Sequence, residues 1–591
     1  MRGSGRRLEK GSPSASFGSS NRKEEPTVNP KWWKESVIYE IYIKSFKDSN
    51  GDGVGDLAGV LSKLDYLQEL GVNVLWLTPV YDSPDHEGGY DIRDYRSIMD
   101  KFGTMDDFDR LLEDAHERGM KIMLEMPLNH TSNEHPWFEE SRSSKKNDKR
   151  NYYIWREGRG SGFPNNWGSY FGGSVWEFDQ ETEEYYMHLY SSRQPNLNWE
   201  NEKVREEAYE IVKWWADKGV DGFHFNSIAH IVKTEGHNHD EESGNTQHLP
   251  VERAYQMFSS LDKVNAIVKR LHKEDGSDYD LMVVGEAAGL DPAQTLDFIG
   301  DDPGKANLVL NSDHMLLTHS SQGIGRWTNQ SWTLLNLKQA ISHWQTVLHE
   351  QGWNATYLAD HDQPRAVCRF GHTGEYRELS AKMLATLLMT LQGTPSIYQG
   401  EELGLVGGGV FHTEQDFRDE ETLNFLHHAK QTGMDEEEAL KIARRNTRDA
   451  GRTPIPWNAS ANGGFTTGQP WIGVSPGHEE VNAERAVADP DSVFHYYKKL
   501  IELRKVSQTL LYGEYRLLLP LDTDIYAFTR TFEDETLMIV LNFFSGTPTF
   551  TCPERLCERP REFIFGNYEP GVTQGSNFEL RPYEAAIYRL G

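Results

Sequence analysis

Three side chains at the ends of apolar runs could carry chemistry: Glu286 in VVGEA, Asp362 in HDQPR and Asn226 in DGFHFN. A carboxylic acid buried near another carboxylate holds its proton to higher pH and can exchange it with a reacting oxygen, which suits general acid–base work. An amide oxygen is a far poorer nucleophile than a carboxylate, so Asn226 brings polarity to its strand end without nucleophilic power. His224, Asp360 and His361 adjoin these positions. A second group, Asp48, Asn50, Asp52 and Asp56 in DSNGDGVGDL, spaces oxygen donors around a Gly-rich turn, with the Val54 carbonyl as a further donor. That spacing predicts a structural Ca2+ site, although the terminal bidentate glutamate of an EF-hand is missing. His230, His237, His239 and His248 crowd one polar loop, but no HExxH-like helical pair is present, so they read as a solvated loop rather than a metal centre.

These residues need a scaffold that brings strand ends together. Apolar strand-like runs at 37–46, 72–80, 121–128, 220–226, 280–287, 307–312, 354–362 and 393–401 alternate with amphipathic helical stretches. That pattern predicts an α/β fold, a TIM (β/α)8 barrel whose site lies at the C-terminal mouths of its strands. The irregular stretch after the third run is too long for a strand-to-helix loop and is expected to be an inserted lid domain. After 490 the alternation becomes that of an antiparallel β-sandwich. The expected division is a disordered tail over 1–30, a barrel over 31–130 and 201–490, the lid over 131–200 and the sandwich over 491–591.

With 591 residues, 37% of them hydrophobic, the chain can bury a large multidomain core. A formal net charge of −30 disfavours nucleic acid and anionic membrane as partners. Three cysteines, Cys368, Cys552 and Cys557, are too few for a disulfide framework. The N-terminal segment carries no signal-like apolar region, and a cytoplasmic location is expected. Composition leaves the oligomeric state open.

The motifs from Trp32 onward resemble glycoside hydrolase family 13, in its oligo-1,6-glucosidase, maltase and sucrose-isomerase branch. GGYDIRDYR is similar to GYDISDYR, PLNHTS and HDQPR match in order, and TRDAGRTPIPW is similar to SRDNARTPMQW. The resemblance implies Tyr90 as a stacking platform, Asp91 as an acceptor for sugar hydroxyls, and His130 and His361 in the pocket. It also implies Asp362 as the carboxylate that stabilises an oxocarbenium-like sugar, Glu286 as acid/base, and Arg365 and Arg452 at the rim. The calcium loop has a counterpart in many maltase-like members, and no organic cofactor is expected. Where the family strand reads GFRMD, this chain has His224 and Asn226 in place of the arginine and the nucleophilic aspartate. Glu125, Asp360 and Asn196 also depart from the pattern, and no RLDRD-like segment of the sucrose isomerases is present.

Without a carboxylate at 226 the glycosyl ester of a retaining mechanism cannot form. The expected function is that of an α-glucosidase-like protein repurposed for acid/base chemistry on a small molecule, an α-glucoside or another polyol. The alternatives are a carbohydrate-binding pseudoenzyme and a residual or engineered-inactive α-glucosidase.

Overall fold

The computed structural model describes residues 30–160, 162–227, 249–250, 257–287, 289–300, 305–320, 325–349, 351–553, 556, 559–570 and 577–591. The N-terminal tail, the histidine-bearing loop at 230–248 and Cys557 lie outside the described residues.

Each apolar run contains one barrel strand: β1 (Ile38–Ile41), β2 (Val74–Leu77), β3 (Lys121–Glu125), β4 (Gly222–Phe225), β5 (Met282–Glu286), β6 (Leu308–Leu310), β7 (Asn354–Thr356) and β8 (Thr394–Tyr398). They pair in parallel in chain order and close where β1 meets β8, with Ile38 opposite Ser396. Strands covered on both faces need apolar residues throughout, which is why these runs are continuous rather than alternating. The strands stop short of the runs: β7 ends at Thr356, leaving Asp360 to Asp362 in the loop beyond its C-terminal end.

The surrounding helices follow from the same physics. The helix Met105–Glu117 starts with a Thr104–Asp107 capping box and buries Phe108, Leu111, Leu112 and Ala115 along one stripe. The helix Glu202–Lys218 ends at Gly219 in the left-handed conformation (φ 105°), which turns the chain directly into β4.

The insert has its own three-stranded sheet, built from Trp155–Arg156, Glu184–Met187 and Trp176–Asp179, over a small core of Val175, Trp176, Met187 and Leu189. A bridge between His130 and Asn196 joins its entry to its exit. At the C-terminus, β9 (Glu514–Leu518), β10 (Ile525–Phe532), β11 (Glu535–Asn542), β13 (Arg561–Gly566) and β15 (Ala585–Leu590) form a five-stranded antiparallel sheet, beside a two-stranded one of β12 (Thr549–Thr551) and β14 (Asn577–Glu579). The helix Val493–Val506 buries Tyr497, Leu500 and Ile501, and its Arg504 donates to the carbonyls of Met389 (3.0 Å), Leu391 (3.1 Å) and Gly393. Among the described residues, no helix is long and apolar enough to cross a membrane.

Arg504 therefore ties this helix to the connection before β8. Arg504→Ala strands several buried carbonyls at about 1–3 kcal/mol each, so a marked fall in the thermal midpoint is expected. An unchanged melting curve would contradict that role.

Candidate active site

Asn226 follows β4 and Glu286 ends β5, and these neighbouring strands pair with Phe225 opposite Gly285. Ser227 links the two side chains. Its backbone N–H donates to Glu286 Oε2 at 2.6 Å, and its hydroxyl donates to Asn226 Oδ1 at 2.5 Å. Because that hydroxyl has one proton, the 2.6 Å contact with Tyr190 must run from the tyrosine O–H to Ser227 Oγ. Ser227 also sits at φ 54°, a left-handed conformation uncommon for a residue with a side chain, and these contacts hold it there.

Beneath this edge lies a charged floor. Glu125, at the end of β3, accepts from Trp76 Nε1 (2.7 Å) and His224 Nδ1 (2.9 Å) through the same oxygen. The His224 ring lies 4.3 Å from that of Trp76. With Nδ1 committed to Glu125, the proton of a neutral His224 is on Nδ1, and Nε2 is buried without a partner among the described residues. Burial works against protonation of His224, but Glu125, Glu286 and Glu40 together raise its proton affinity above the ordinary value.

On the opposite side, Glu40 of β1 holds His361 Nδ1 at 2.6 Å, and the Tyr90 hydroxyl meets His361 Nε2 at 2.6 Å. The imidazole is stacked between Tyr42 and Tyr90, with ring centroids 6.0 and 5.3 Å away. Burial resists its charge, yet Asp362, Glu40 and Asp360 push His361 up to about 9, so it is an imidazolium at neutral pH. Burial, reinforced by Glu40 and Asp362, pushes Asp360 up to about 7. Asp360 Oδ1 accepts from the Asp362 N–H at 2.7 Å and so shapes the turn that presents Asp362.

Asp362 and Glu286 differ in proton affinity for identifiable reasons. Burial favours the neutral form of Asp362, but Arg448, His361, Arg452 and Arg326 hold its carboxyl well below the usual range; Arg452 Nη2 touches it at 2.7 Å. For Glu286, burial dominates and Glu125 and Asp362 add to it, so its proton affinity is raised despite His224 and the Ser227 N–H. Two carboxyl groups whose proton affinities are pushed apart in this way form an acid–base arrangement.

Two expected pocket residues are buried. Asp91 is fully buried and its oxygens accept from Ser83 Oγ (3.0 Å), His86 N (3.1 Å) and Glu87 N (3.1 Å), which anchors the turn between them. Arg365 is also buried, donating to the carbonyls of Gln399 and Thr453 at 2.8 Å each, and is not a rim residue. His130 lies inside, with Nε2 3.1 Å from the Tyr90 carbonyl and 3.1 Å from Gln194 Nε2. Glu40, Trp76, Tyr190 and Arg326 complete the site without having been read from sequence.

In the Asp48–Asp56 loop, Asp48 accepts from the N–H groups of Asn50 (2.9 Å), Gly51 (2.7 Å) and Gly53 (2.9 Å). Asn50 Oδ1 takes the Asp52 N–H and Asp52 Oδ1 takes the Val54 N–H, both at 2.8 Å. Asp56 caps the helix Leu57–Leu61 through the Gly59 N–H at 2.6 Å. Among the described residues no three Asp, Glu, His or Cys side chains converge as a metal cluster. An ion here would recruit Asn50 and the Val54 carbonyl beside the aspartates, an all-oxygen set whose chemistry fits calcium.

Residues 40–513 match the α-amylase catalytic domain model, and residues 515–587 match the maltogenic amylase C-terminal domain. The chain belongs to glycoside hydrolase family 13. Within family 13 it is 47% identical to an oligo-1,6-glucosidase of Parageobacillus thermoglucosidasius over 561 residues, spanning 95% of this chain and 99% of the relative. It is 41% identical to a trehalose-6-phosphate hydrolase of Bacillus subtilis (strain 168), covering 95% and 99% respectively. The structure of isomaltulose synthase from Erwinia rhapontici NX5 superposes with a TM-score of 0.89 at 38% identity, over 95% of this chain and all of that one.

The Glu125 charge is what keeps a proton on buried His224. In Glu125→Gln, burial should prevail and the imidazole titration, followed by nitrogen NMR, should move to lower pH. A titration that stays in place would mean that another group supplies the charge.

Proposed function

We propose that this family 13 protein takes a small polyhydroxylated molecule, an α-glucoside first among them, and acts on it by proton transfer without forming a covalent glycosyl ester. The observation that carries this reading is the amide at 226, whose oxygen is already engaged by Ser227 Oγ beside Glu286, whose proton affinity is raised by burial. Glu286 has the raised proton affinity of an acid that gives a proton to a departing oxygen and takes one back. Asp362, kept ionised by its arginines, would stabilise positive charge developing on the ligand. The oligo-1,6-glucosidase and trehalose-6-phosphate hydrolase relatives support a glucoside as the starting point for identifying the ligand.

Maltose, isomaltose, sucrose and aryl α-glucosides should therefore be hydrolysed poorly, at rates reduced roughly a thousandfold or more from those of a protein with a carboxylate nucleophile. Steady-state assays on freshly purified protein check this. Rapid turnover that disappears in Glu286→Gln would restore an ordinary glucosidase. Saturable glucoside binding by calorimetry with no product from any ligand would favour the pseudoenzyme.

We also propose that the Asp48–Asp56 loop binds calcium as a structural ion. Removal with a chelator should lower the thermal midpoint and calcium should restore it, since an ion that binds only the folded state stabilises it. A melting curve indifferent to both, with no calcium in elemental analysis, would refute the site.

A further inference from the structure

Asn226 and Ser227 are held against Glu286 and Tyr190 at the mouth of β4. An asparagine followed by a small residue can lose its amide when the next backbone nitrogen attacks the side-chain carbonyl carbon. Two things normally hold this back: the backbone N–H is a very weak acid, and the amide carbonyl is a poor electrophile. Both obstacles are addressed here by side chains of this protein. The Ser227 N–H points at a carboxylate oxygen, Glu286 Oε2, at 2.6 Å, and general-base catalysis requires that reach. The Asn226 carbonyl oxygen receives the Ser227 hydroxyl at 2.5 Å, and Tyr190 polarises that hydroxyl in turn through its own 2.6 Å contact. Asn226 is only half-buried, so water can reach it.

We propose that Asn226 is a self-modifying site that this geometry converts to aspartate. In its ionised form Glu286 takes the Ser227 amide proton as Ser227 N bonds to Asn226 Cγ. The resulting tetrahedral centre carries its negative charge on the oxygen held by the Ser227 hydroxyl. The Cγ–Nδ2 bond then breaks, the nitrogen leaves with the proton returned by Glu286, and ammonia and a five-membered imide are formed. Water adds at Cγ and the new Cγ–N bond opens, restoring the Ser227 N–H and placing a carboxylate at 226. The net change is asparagine plus water to aspartate plus ammonia, with no oxidant or other co-reactant. Opening at the backbone carbonyl instead would give the isoaspartyl isomer, which lengthens the backbone by one carbon. The encoded chain would thus be the precursor of one with two carboxylates at the mouths of β4 and β5. This goes beyond the function proposed above, which concerns the chain with its amide intact.

The test follows the tryptic peptide of residues 219–233 by mass spectrometry during incubation of the full-length protein in heavy-oxygen water. The folded protein should convert Asn226 to a residue carrying one solvent oxygen, and faster than the same chain held denatured under otherwise identical conditions. Conversion should fall by roughly a hundredfold in Glu286→Gln, the usual scale of a lost general base. It should fall less in Ser227→Ala, which keeps the N–H but loses the polarising hydroxyl. Melting curves establish that each variant is folded; if Glu286→Gln is not, the folded-against-denatured comparison and Ser227→Ala still decide. Conversion no faster in the folded protein than in the denatured chain, or equal in all folded variants, would overturn the proposal. That result would leave the function proposed above standing. Family-like hydrolysis by protein whose peptide is still fully amidated would refute that function instead.

Discussion

The distribution of charge at one end of the barrel constrains everything else in this molecule. Glu40, Glu125, Glu286, Asp360 and Asp362 gather there buried or half-buried, and each such carboxylate makes ionisation of the others more costly. The structure resolves the conflict by pairing. Glu40 takes His361, Glu125 takes His224 and the Trp76 indole, and Asp362 takes arginines. Burial still leaves Asp360, Glu286 and, despite its histidine, Glu40 with raised proton affinities. The proton available for chemistry is thus a consequence of how the neighbouring charges are satisfied.

That pairing spans elements distant in sequence, so the barrel must close before the site exists. The Glu40–His361 contact joins β1 to the loop after β7, and Arg452 reaches the His361 carbonyl (3.0 Å) and Asp362 from a segment beyond β8. Removing either partner of such a buried pair leaves an uncompensated charge, which generally costs more than the pair itself contributes. An imidazole at 224 makes this balance sensitive to its neighbours. A guanidinium stays charged at any working pH, whereas an imidazole stays protonated only while Glu125 supports it.

The eight strands were legible because both faces of a parallel barrel are covered, which writes each strand as an unbroken apolar run. The chemistry-bearing ends were legible for the same reason: a polar residue ending such a run must leave the core. Glu40 escaped notice because it lies inside YEIY, where a single acid in an apolar run reads as an interruption rather than as a partner for His361. The partners of Asp91 and Arg365 escaped notice for a different reason. A motif fixes the order of side chains but not which hydrogen-bond partners they find, and nearby N–H groups satisfied Asp91 while carbonyls of two other segments satisfied Arg365. The amide at 226 was visible in sequence. Its engagement by Ser227, and the left-handed turn that allows it, required the neighbouring strand end.

The central claim is that Glu286 retains a proton above the range of an ordinary glutamate because of where the barrel places it. Carbon NMR titration of carboxyl-labelled protein, with Glu286→Gln to assign the signal, measures this directly. The account predicts a titration displaced to higher pH than that of a free glutamate. A Glu286 signal that titrates at or below the ordinary value would contradict it.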